Sequence, residues 1–422
     1  MHNGRIDVGI TGIGVVSPFG VGRDVFWRAI TAGDSGITAV EGVDPEHWPT
    51  RVAARVPDDA LAAAEAQLTD EDRTAEGRSD RRAAKVSRIA VVAAREALKD
   101  AGLTPGSDEI GVVVGSGAGG IDVAERQYGD FFAADYHRVS PYAIPVSIVG
   151  IVSSEMSIAL GLRGPSHVLS TGCTSSTDAI GYATSLIRQG EADVVVSGGA
   201  DACATVGMLF GFGRMRATST HFNDRPSLAS RPFDGERDGF VLGEGAWIVV
   251  LERIDRARAR GARVYATIEG YASTCDAYHR VQMDPDGREI VRCMTQAIAR
   301  SGRAPETIGY VNYHGTSTVL NDRVESQCVR RLFGARAEAL PGSSIKSMIG
   351  HPQGASGAAG VVATAMGLRD GLFPPTINQT RVDPSCDLDY IPNQARRMDV
   401  EAALCNCLGF GSKNSALVLS RG

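Results

Sequence analysis

Segments typical of strands alternate with segments typical of helices along this chain, and the alternation starts again after a basic helix at Arg253–Arg260. The first stretch predicts strands at Val8–Val16, Ile110–Val114, Asp193–Ser197 and Trp247–Leu251, and helices at Asp80–Ala101 and Ser175–Arg188. The second predicts strands at Ala266–Tyr271, Gly309–Tyr313, Ser343–Ile345, Ala403–Cys407 and Ala416–Leu419, and helices near Arg288–Ser301, Asp322–Leu332 and Ser356–Leu368. Such alternation predicts an α/β fold whose sheets are covered by helices. Because no close sequence repeat accompanies it, a doubled structure is a hypothesis at this point.

Length and charge narrow the class of protein. A chain of 422 residues is typical of two domains or one doubled fold, and we predict two halves, residues 1–255 and 256–422. The formal net charge of −6 argues against nucleic acid as the main partner. The N-terminus lacks the apolar core of a signal peptide, and no apolar run is long enough to span a bilayer. We therefore predict a cytoplasmic protein that does not bind membranes.

The eight cysteines do not indicate disulfides, because that inference applies to short secreted chains and cytoplasmic thiols stay reduced. Cys405 and Cys407 are spaced like half of a metal site. No second pair of Cys or His at ligand spacing accompanies them in the sequence, so no metal is predicted.

Two long segments lack a clear strand or helix pattern. They are Asp44–Asp80 and Ala118–Ser147, and the second carries an aromatic cluster of Tyr128, Phe131, Phe132 and Tyr136. Loops of this length in a compact enzyme are often lids or interfaces.

Cys173 is the cysteine whose setting favours chemistry. It lies between small residues in Thr171-Gly172-Cys173-Thr174-Ser175, directly before the predicted helix. A helix N-terminus stabilises a thiolate, which is the nucleophilic form of sulfur. For a cysteine chosen at random, a buried structural role is the better interpretation, and we accept that role for the other seven.

Two histidines and a lysine follow far downstream. His314 comes at the end of a predicted strand, where α/β folds often bind ligands, although a structural turn histidine fits equally well. His351 follows Gly350 at a predicted helix start, where a neutral imidazole can donate to an oxyanion. Lys346 is either a buried salt-bridge lysine, with Asp322 and Glu325 as candidate partners, or an electrostatic support for catalysis.

A glycine-rich segment, Gly409-Phe410-Gly411-Ser412, follows the strand that carries Cys407. One bulky side chain between two glycines suits a gate. A hydrophobic plug in a flexible turn is the plainer interpretation.

Taken together, these segments resemble the β-ketoacyl synthases, condensing enzymes of the thiolase superfamily. The resemblance covers nearly the whole chain. It is carried by Ile10–Gly20, Gly164-Pro165, Ser170–Ser175, Arg231–Phe240, His314-Gly315-Thr316-Ser317-Thr318, Asn321-Asp322, Lys346-Ser347-Met348 and Gly350-His351. It implies a thiolase fold, in which two similar halves form five αβαβα layers, and usually a dimer.

The resemblance also implies the roles of site residues. Cys173 would be the nucleophile, His314 and His351 the active-site histidines, and Lys346 their electrostatic support. The backbone N–H groups of Cys173 and Phe410 would form an oxyanion hole, with Phe410, between Gly409 and Gly411, as the acyl gate. Thr316 and Thr318 would line the pantetheine arm.

The implied reaction is a decarboxylative condensation. An acyl group passes from acyl carrier protein to Cys173, and malonyl-carrier protein then supplies two carbons. No metal, flavin or nicotinamide is implied, since 4'-phosphopantetheine arrives on the carrier protein.

Thr171-Gly172-Cys173-Thr174-Ser175 most resembles the ketosynthase alpha subunit of type II polyketide synthases, which usually pairs with a chain-length factor. The near alternative is a type II fatty acid ketosynthase. A CoA-dependent thiolase would use a second cysteine near the C-terminus. Cys405 and Cys407 lie in that part of the chain, so this alternative stays open. A non-catalytic subunit like the chain-length factor is a further alternative.

Three departures from the family stand out. Relatives often carry a buried Glu where this chain has Gly360, so we predict Glu325 as the partner of Lys346. Ser412-Lys413 stand where relatives often have Gly-Thr, and Gly350–Gly357 looks thiolase-like. Arg214 and Arg216 are candidates for docking the acidic carrier protein, although solvated arginines would look the same.

Overall fold

The structure is a computed structural model that describes residues 6–67 and 83–422. Its strands are β1 (Val8–Ser17), β2 (Gly20–Val21), β3 (Thr38–Ala39), β4 (Val52–Ala54), β5 (Ile110–Gly115), β6 (Ser166–Leu169), β7 (Val194–Ala202), β8 (Leu242–Arg253), β9 (Ala266–Cys275), β10 (Ile308–Asn312), β11 (Gly342–Ser343), β12 (Leu372–Phe373), β13 (Arg396–Arg397), β14 (Ala402–Gly409) and β15 (Lys413–Arg421).

The α-helices are α1 (Arg23–Ala32), α2 (Asp58–Ala66), α3 (Lys85–Asp100), α4 (Ile121–Phe132), α5 (Ala143–Ser147), α6 (Ile151–Leu160), α7 (Ser175–Gln189), α8 (Val206–Arg214), α9 (Ile254–Ala259), α10 (Arg288–Ser301), α11 (Val319–Phe333), α12 (Lys346–Ile349) and α13 (Ser356–Asp370). Within the described ranges, no helix is long and apolar enough to cross a membrane.

The main sheet repeats one strand order. Its first half runs β1-β8-β7-β5-β6 and its second half runs β9-β15-β14-β10-β11, and β1 pairs with β9 to join them. The strand directions repeat as well, because β8 and β15 are antiparallel to both of their neighbours in their own half, whereas the remaining pairs in each half are parallel. The repeated strand topology thus supports the hypothesis of a doubled structure. The boundary predicted near residue 255 falls inside α9 and stays a prediction.

Helices form the outer and central layers. Helix α3 packs on β1, β8 and β7, while α10 packs on β9 and β15. Helices α7 and α13 lie between the two halves of the sheet and contact each other. The predicted α/β architecture of five αβαβα layers is confirmed.

The two central helices pack at a distance that requires glycine. A Cβ atom on Gly357 would lie 1.9 Å from Thr177 Oγ1, so a larger residue does not fit there. Ala358 N also donates to Ser176 Oγ at 2.9 Å. Because α7 follows β6 and α13 follows β11 at equivalent places in the repeat, the turns that precede the two helices meet at the centre of the molecule.

The sequence prediction was wrong for several segments. Ala118–Ser147 contains the helices α4 and α5, and Asp44–Asp80 contains α2, with residues 68–80 outside the described ranges. Tyr128, Phe131 and Phe132 have helical spacing but are exposed, and Val123 is the one buried residue of α4, so the helix has almost no buried apolar face. The strand predicted at Ser343–Ile345 is β11, Gly342–Ser343, because α12 begins at Lys346.

Candidate active site

Cys173 lies in a single 3₁₀ turn, Gly172–Thr174, between β6 and α7. Gly172 has a φ of 70°, which favours glycine, and Thr171 N donates to Ser175 Oγ at 2.9 Å. Thr171 Oγ1 donates to Asp178 Oδ2 at 2.6 Å, which fixes the turn on the first turn of the helix. The predicted position at a helix N-terminus is therefore observed.

Burial determines the protonation of this thiol. Cys173 is 4% exposed, and burial raises its pKa to about 12 although the Phe410 N–H and the charge of Lys346 lower it. The helix N-terminus alone therefore does not yield a thiolate at neutral pH. His351 Nε2 lies 3.1 Å from Cys173 Sγ, a distance at which it can accept the thiol proton in the tautomer protonated on Nδ1.

His351 is held by the backbone of the first half. Its N–H donates to Val241 O at 2.7 Å, and its carbonyl accepts from Gly243 N at 3.0 Å. The prediction that a helix begins at His351 is wrong. A 3₁₀ turn at Gln353–Ala355 follows His351, and α13 begins only at Ser356. Burial, reinforced by the charge of Lys346, keeps the pKa of His351 well below its usual value. The ring is therefore neutral at physiological pH.

His314 comes from the second half and faces His351. It follows β10, and the two ring centroids are 5.3 Å apart at 87°. Its backbone N–H and that of Gly315 donate to Glu325 at 2.7 and 2.8 Å. Burial is again the main cause that keeps the pKa of His314 well below its usual value. Two neutral imidazoles thus lie beside one thiol.

The prediction that Lys346 pairs with Glu325 is wrong. Lys346 Nζ donates to the carbonyl oxygen of His314 at 2.7 Å, and no carboxylate in the described part of the chain forms an ion pair with it. Glu325 is occupied by the two N–H groups named above and by Asn406 Nδ2 at 2.7 Å. Burial raises the pKa of Glu325 to about 7. Lysine and glutamate therefore both support the His314 turn through its backbone.

Packing against Asn312 explains why a glycine occupies position 360. A Cβ atom there would lie 2.2 Å from Asn312 Oδ1, so any larger residue at this position requires the Asn312 side chain to move. Asn312 occupies the space that such a side chain would need.

Asp322 organises the segment that follows His314. Its Oδ1 accepts from Thr316 N at 3.0 Å, and its Oδ2 accepts from Phe233 N at 2.8 Å. The Oγ1 atoms of Thr316 and Thr318 are 3.0 Å apart. Like Glu325, Asp322 supports the site through backbone contacts and does not reach Lys346.

A cavity of about 300 Å³ leads to Cys173. His314, His351, Thr316, Thr318, Phe410 and Arg216 are among its lining residues. The predicted nucleophile, both histidines and both threonines thus face one space.

Phe410 lies at the inner part of this cavity. Its ring stacks on Phe212 with centroids 6.2 Å apart, and a Cβ atom on Gly409 would lie 3.3 Å from Cys173 N. Ser412 Oγ accepts from His279 N at 3.1 Å, which ties the loop to its neighbour at this departure from the family pattern. Gate and plug both fit this packing, so the gate stays a prediction.

Two residues near the site, Gln353 and Asp201, were missed, and Cys407 was weighed only as half of a metal site or as the second cysteine of a thiolase. Cys407 Sγ lies 3.6 Å from His314 Nδ1 and 3.2 Å from Cys173 O, so it packs behind both groups. The Gln353 amide lies beside Cys173 Sγ, and buried Asp201 accepts from Gly354 N. The Cys407 spacing in Cys405-Asn-Cys407 was visible in the sequence. No sequence signal marked the other two.

Known proteins resemble this chain over nearly its whole length. Residues 6–257 match the family described as "Beta-ketoacyl synthase, N-terminal domain", and residues 265–380 match "Beta-ketoacyl synthase, C-terminal domain".

Two curated relatives illustrate the similarity. The 3-oxoacyl-[acyl-carrier-protein] synthase 2 of Coxiella burnetii is 39% identical over 415 residues, covering 98% of each chain. The tetracenomycin polyketide synthase ketoacyl synthase alpha subunit of Streptomyces glaucescens is 41% identical over 428 residues, covering 98% of this chain and 96% of the relative.

Solved structures give the same result. A type II PKS acyl-carrier protein in complex with its ketosynthase bound to the hexaketide matches with a TM-score of 0.89 and 31% identity, covering 99% of this chain and 100% of that one. The ishigamide ketosynthase/chain length factor matches with the same TM-score, identity and coverage.

Proposed function

The chain belongs to the β-ketoacyl synthase family, and from this premise we propose that it catalyses a decarboxylative Claisen condensation. An acyl chain on Cys173 is joined to the two-carbon unit of a malonyl thioester, which gives a β-ketoacyl thioester. The observation that carries the proposal is the convergence of Cys173, His314 and His351 on one cavity, with Cys173 Sγ 3.1 Å from His351 Nε2.

The first step loads the acyl group. His351 Nε2 accepts the thiol proton as Cys173 Sγ attacks the carbonyl carbon of the incoming thioester. The bond from that carbon to the carrier sulfur breaks, and the leaving sulfur takes the proton from His351. A neutral imidazole is the form that can accept, and the low pKa of His351 supplies it.

The second step forms the new carbon–carbon bond. Loss of carbon dioxide leaves an electron pair on the malonyl unit as an enolate, whose oxygen accepts hydrogen bonds from His314 and from His351, which by then has changed tautomer and carries its proton on Nε2. The enolate carbon attacks the acyl carbonyl on Cys173, the C–S bond breaks, and the sulfur takes up a proton from solvent. Removing one donor from such a site typically costs ~3–4 kcal/mol of barrier.

Lys346 and Cys407 keep His314 in position for this step. Lys346 Nζ holds the His314 carbonyl, and Cys407 Sγ occupies the Nδ1 side of the ring. That arrangement leaves Nε2 for the cavity. We assign an oxyanion hole for the attacked carbonyl to the N–H groups of Cys173 and Phe410, whose backbones are adjacent.

We assign the reaction to type II polyketide assembly, with type II fatty acid elongation as the alternative. Gly172 before the nucleophile, the relative from tetracenomycin biosynthesis and the solved type II ketosynthases support the first. The similarity to 3-oxoacyl-[acyl-carrier-protein] synthase 2 supports the second.

The proposed substrates arrive on acyl carrier protein in the cytoplasm, with 4'-phosphopantetheine as part of the substrate and no further cofactor. One solved relative was captured with its carrier protein. Arg216 is exposed at the cavity, while Arg214 is exposed nearby, and both suit an acidic partner. Thr316 and Thr318 line the same cavity, and we propose that they contact the pantetheine arm.

The test is incubation with malonyl-carrier protein and an acyl-carrier protein. We expect release of carbon dioxide and a β-ketoacyl-carrier protein, with both lost in Cys173→Ala. Cleavage of acetoacetyl-CoA without carbon dioxide release would indicate a thiolase instead. Unchanged pathway product in Cys173→Ala would indicate a non-catalytic subunit.

A further inference from the structure

Gln353 places a side-chain amide, whose N–H is unpaired among the described residues, beside Cys173. The residue is 7% exposed, and its Oε1 lies 3.8 Å from Cys173 Sγ. Its Nε2 is buried and has no hydrogen-bond partner among the described residues. A buried donor without a partner is costly, so a native structure that retains one calls for an explanation.

The backbone at this position is built to hold the side chain. Gln353 has a φ of 42°, in the left-handed region that residues other than glycine seldom adopt. The next residue, Gly354, donates its N–H to Asp201 Oδ2 at 2.6 Å. The same carboxylate accepts from Ser116 Oγ at 2.9 Å and Gly117 N at 2.8 Å. Asp201 of β7 and the segment at Ser116-Gly117 therefore fix the turn that holds Gln353. A strained backbone that is held in this way is typical of functional sites.

An acyl chain on Cys173 comes within reach of this amide. Oxygen on the third carbon of the chain is four bonds from Sγ, and Gln353 Nε2 is two bonds from the Oε1 atom that already lies beside Sγ. A carbonyl oxygen at that position accepts the Nε2 N–H, which no group among the described residues takes. A saturated chain of the same length offers only methylene at that place and leaves the donor unpaired.

We infer that Gln353 is a specificity residue that donates a hydrogen bond to a β-carbonyl oxygen of the acyl chain on Cys173. The inference rests on the proposed function and names its substrate class as 3-oxoacyl thioesters, in preference to saturated ones. A site that hydrogen-bonds a polar group discriminates against the analogue that lacks it, because the buried donor then stays unpaired.

The experiment measures acylation of Cys173 by intact-protein mass spectrometry. The probes are 3-oxohexanoyl-pantetheine, 5-oxohexanoyl-pantetheine and hexanoyl-pantetheine, each with wild type and with Gln353→Met, which retains the length and removes the amide. Gln189→Met, an exposed residue at the end of α7, is the matched control.

We expect wild type and Q189M to acylate at least about tenfold faster with the 3-oxo probe than with the saturated one, and Q353M to lose most of this preference. The 5-oxo probe should behave like the saturated one. A preference that is equal in wild type and Q353M overturns the inference. If Q353M does not fold, equal rates for all three probes with wild type overturn it on their own.

Failure of the proposed function can be distinguished from failure of this inference. If none of the probes acylates Cys173 in wild type, this inference is overturned, and the proposed function is overturned as well if acyl-carrier protein also fails to load Cys173. If all three acylate it equally and condensation with malonyl-carrier protein proceeds, only the inference is lost.

Discussion

At the scale of single residues, burial sets the protonation states on which the chemistry depends. It raises the pKa of Cys173 to about 12 and keeps those of His314 and His351 well below their usual values. The resting site therefore holds a thiol and two neutral imidazoles. In the proposed mechanism, this is the state in which His351 Nε2 accepts the thiol proton, and both rings donate to the enolate oxygen later, once His351 carries its proton on Nε2.

This protonation pattern predicts the pH dependence of Cys173 acylation. The pKa of His351 is lowered, so the ring protonates only below its ordinary range, and the acylation rate should fall only on acidification to there. Between about pH 6.5 and 8.5 the rate should be nearly flat. Stopped-flow experiments with a pantetheine thioester measure this acylation rate at each pH. A tenfold rise for each pH unit across that range would mean that hydroxide, and not His351, removes the thiol proton.

Replacement of His351 tests the same contact directly. His351→Ala removes the acceptor 3.1 Å from Cys173 Sγ, and loading should slow by about 10²–10⁴-fold, as is usual for loss of a general base. The control is His47→Ala, because His47 is exposed and lies outside the cavity. Equal loading rates in the two variants would contradict the proton transfer.

Sequence reasoning named four residues that the structure places close together, but not the contacts that hold them. Cys173, His314, His351 and Lys346 each lie in a distinctive motif. The Lys346 contact is to a backbone oxygen, which the sequence does not encode by residue type. The orphan amide of Gln353 depends on which groups surround it after folding, so only the structure reveals it.

At the scale of elements, the contact between α7 and α13 brings the nucleophile next to its base. Ser356 Oγ donates to the Cys173 carbonyl at 3.2 Å, and Gly357 permits close approach of the two helices. The sequence predicted both helices from their apolar pattern. Their contact was not predictable, because it joins residues that are far apart in the chain.

Gly357→Ala should disturb both stability and activity. The added methyl group would lie 1.9 Å from Thr177 Oγ1, so the helices must separate at a cost of about 1–3 kcal/mol. Denaturant unfolding and the Cys173 acylation rate should both decline. Gly129→Ala is the control, since a Cβ atom on Gly129 in α4 meets nothing within 4 Å. Equal unfolding free energies for the two variants would contradict the packing argument.

At the scale of the whole molecule, the repeated strand order explains why the site lies at the centre. Equivalent turns after β6 and β11 carry Cys173 and lead to His351, and the doubling brings them together. The alternation of elements predicted the fold class. The order and register of the strands could not be predicted from the sequence. Buried parallel strands all have the same apolar pattern, so the pattern does not show which strands are neighbours.

The exposed aromatic residues of α4 and the segment after it predict a second subunit. Phe132 is 80% exposed, and Tyr128, Phe131 and Tyr136 lie beside it in a patch larger than scattered surface residues explain. Phe132→Asp should weaken association, either with a second copy or with a chain-length-factor-like partner. Sedimentation velocity measures it. A wild-type protein that stays monomeric alone and with that partner would contradict the prediction.

The most direct test of the whole account is a single turnover of the loaded enzyme. Wild type is first acylated on Cys173, freed of excess thioester and then mixed with malonyl-carrier protein. We predict that the mass of the acyl group leaves Cys173 and appears on the carrier protein, extended by two carbons, as one carbon dioxide is released. An acyl group that stays on Cys173 while carbon dioxide is released, or that leaves only as free acid, would contradict condensation at this site.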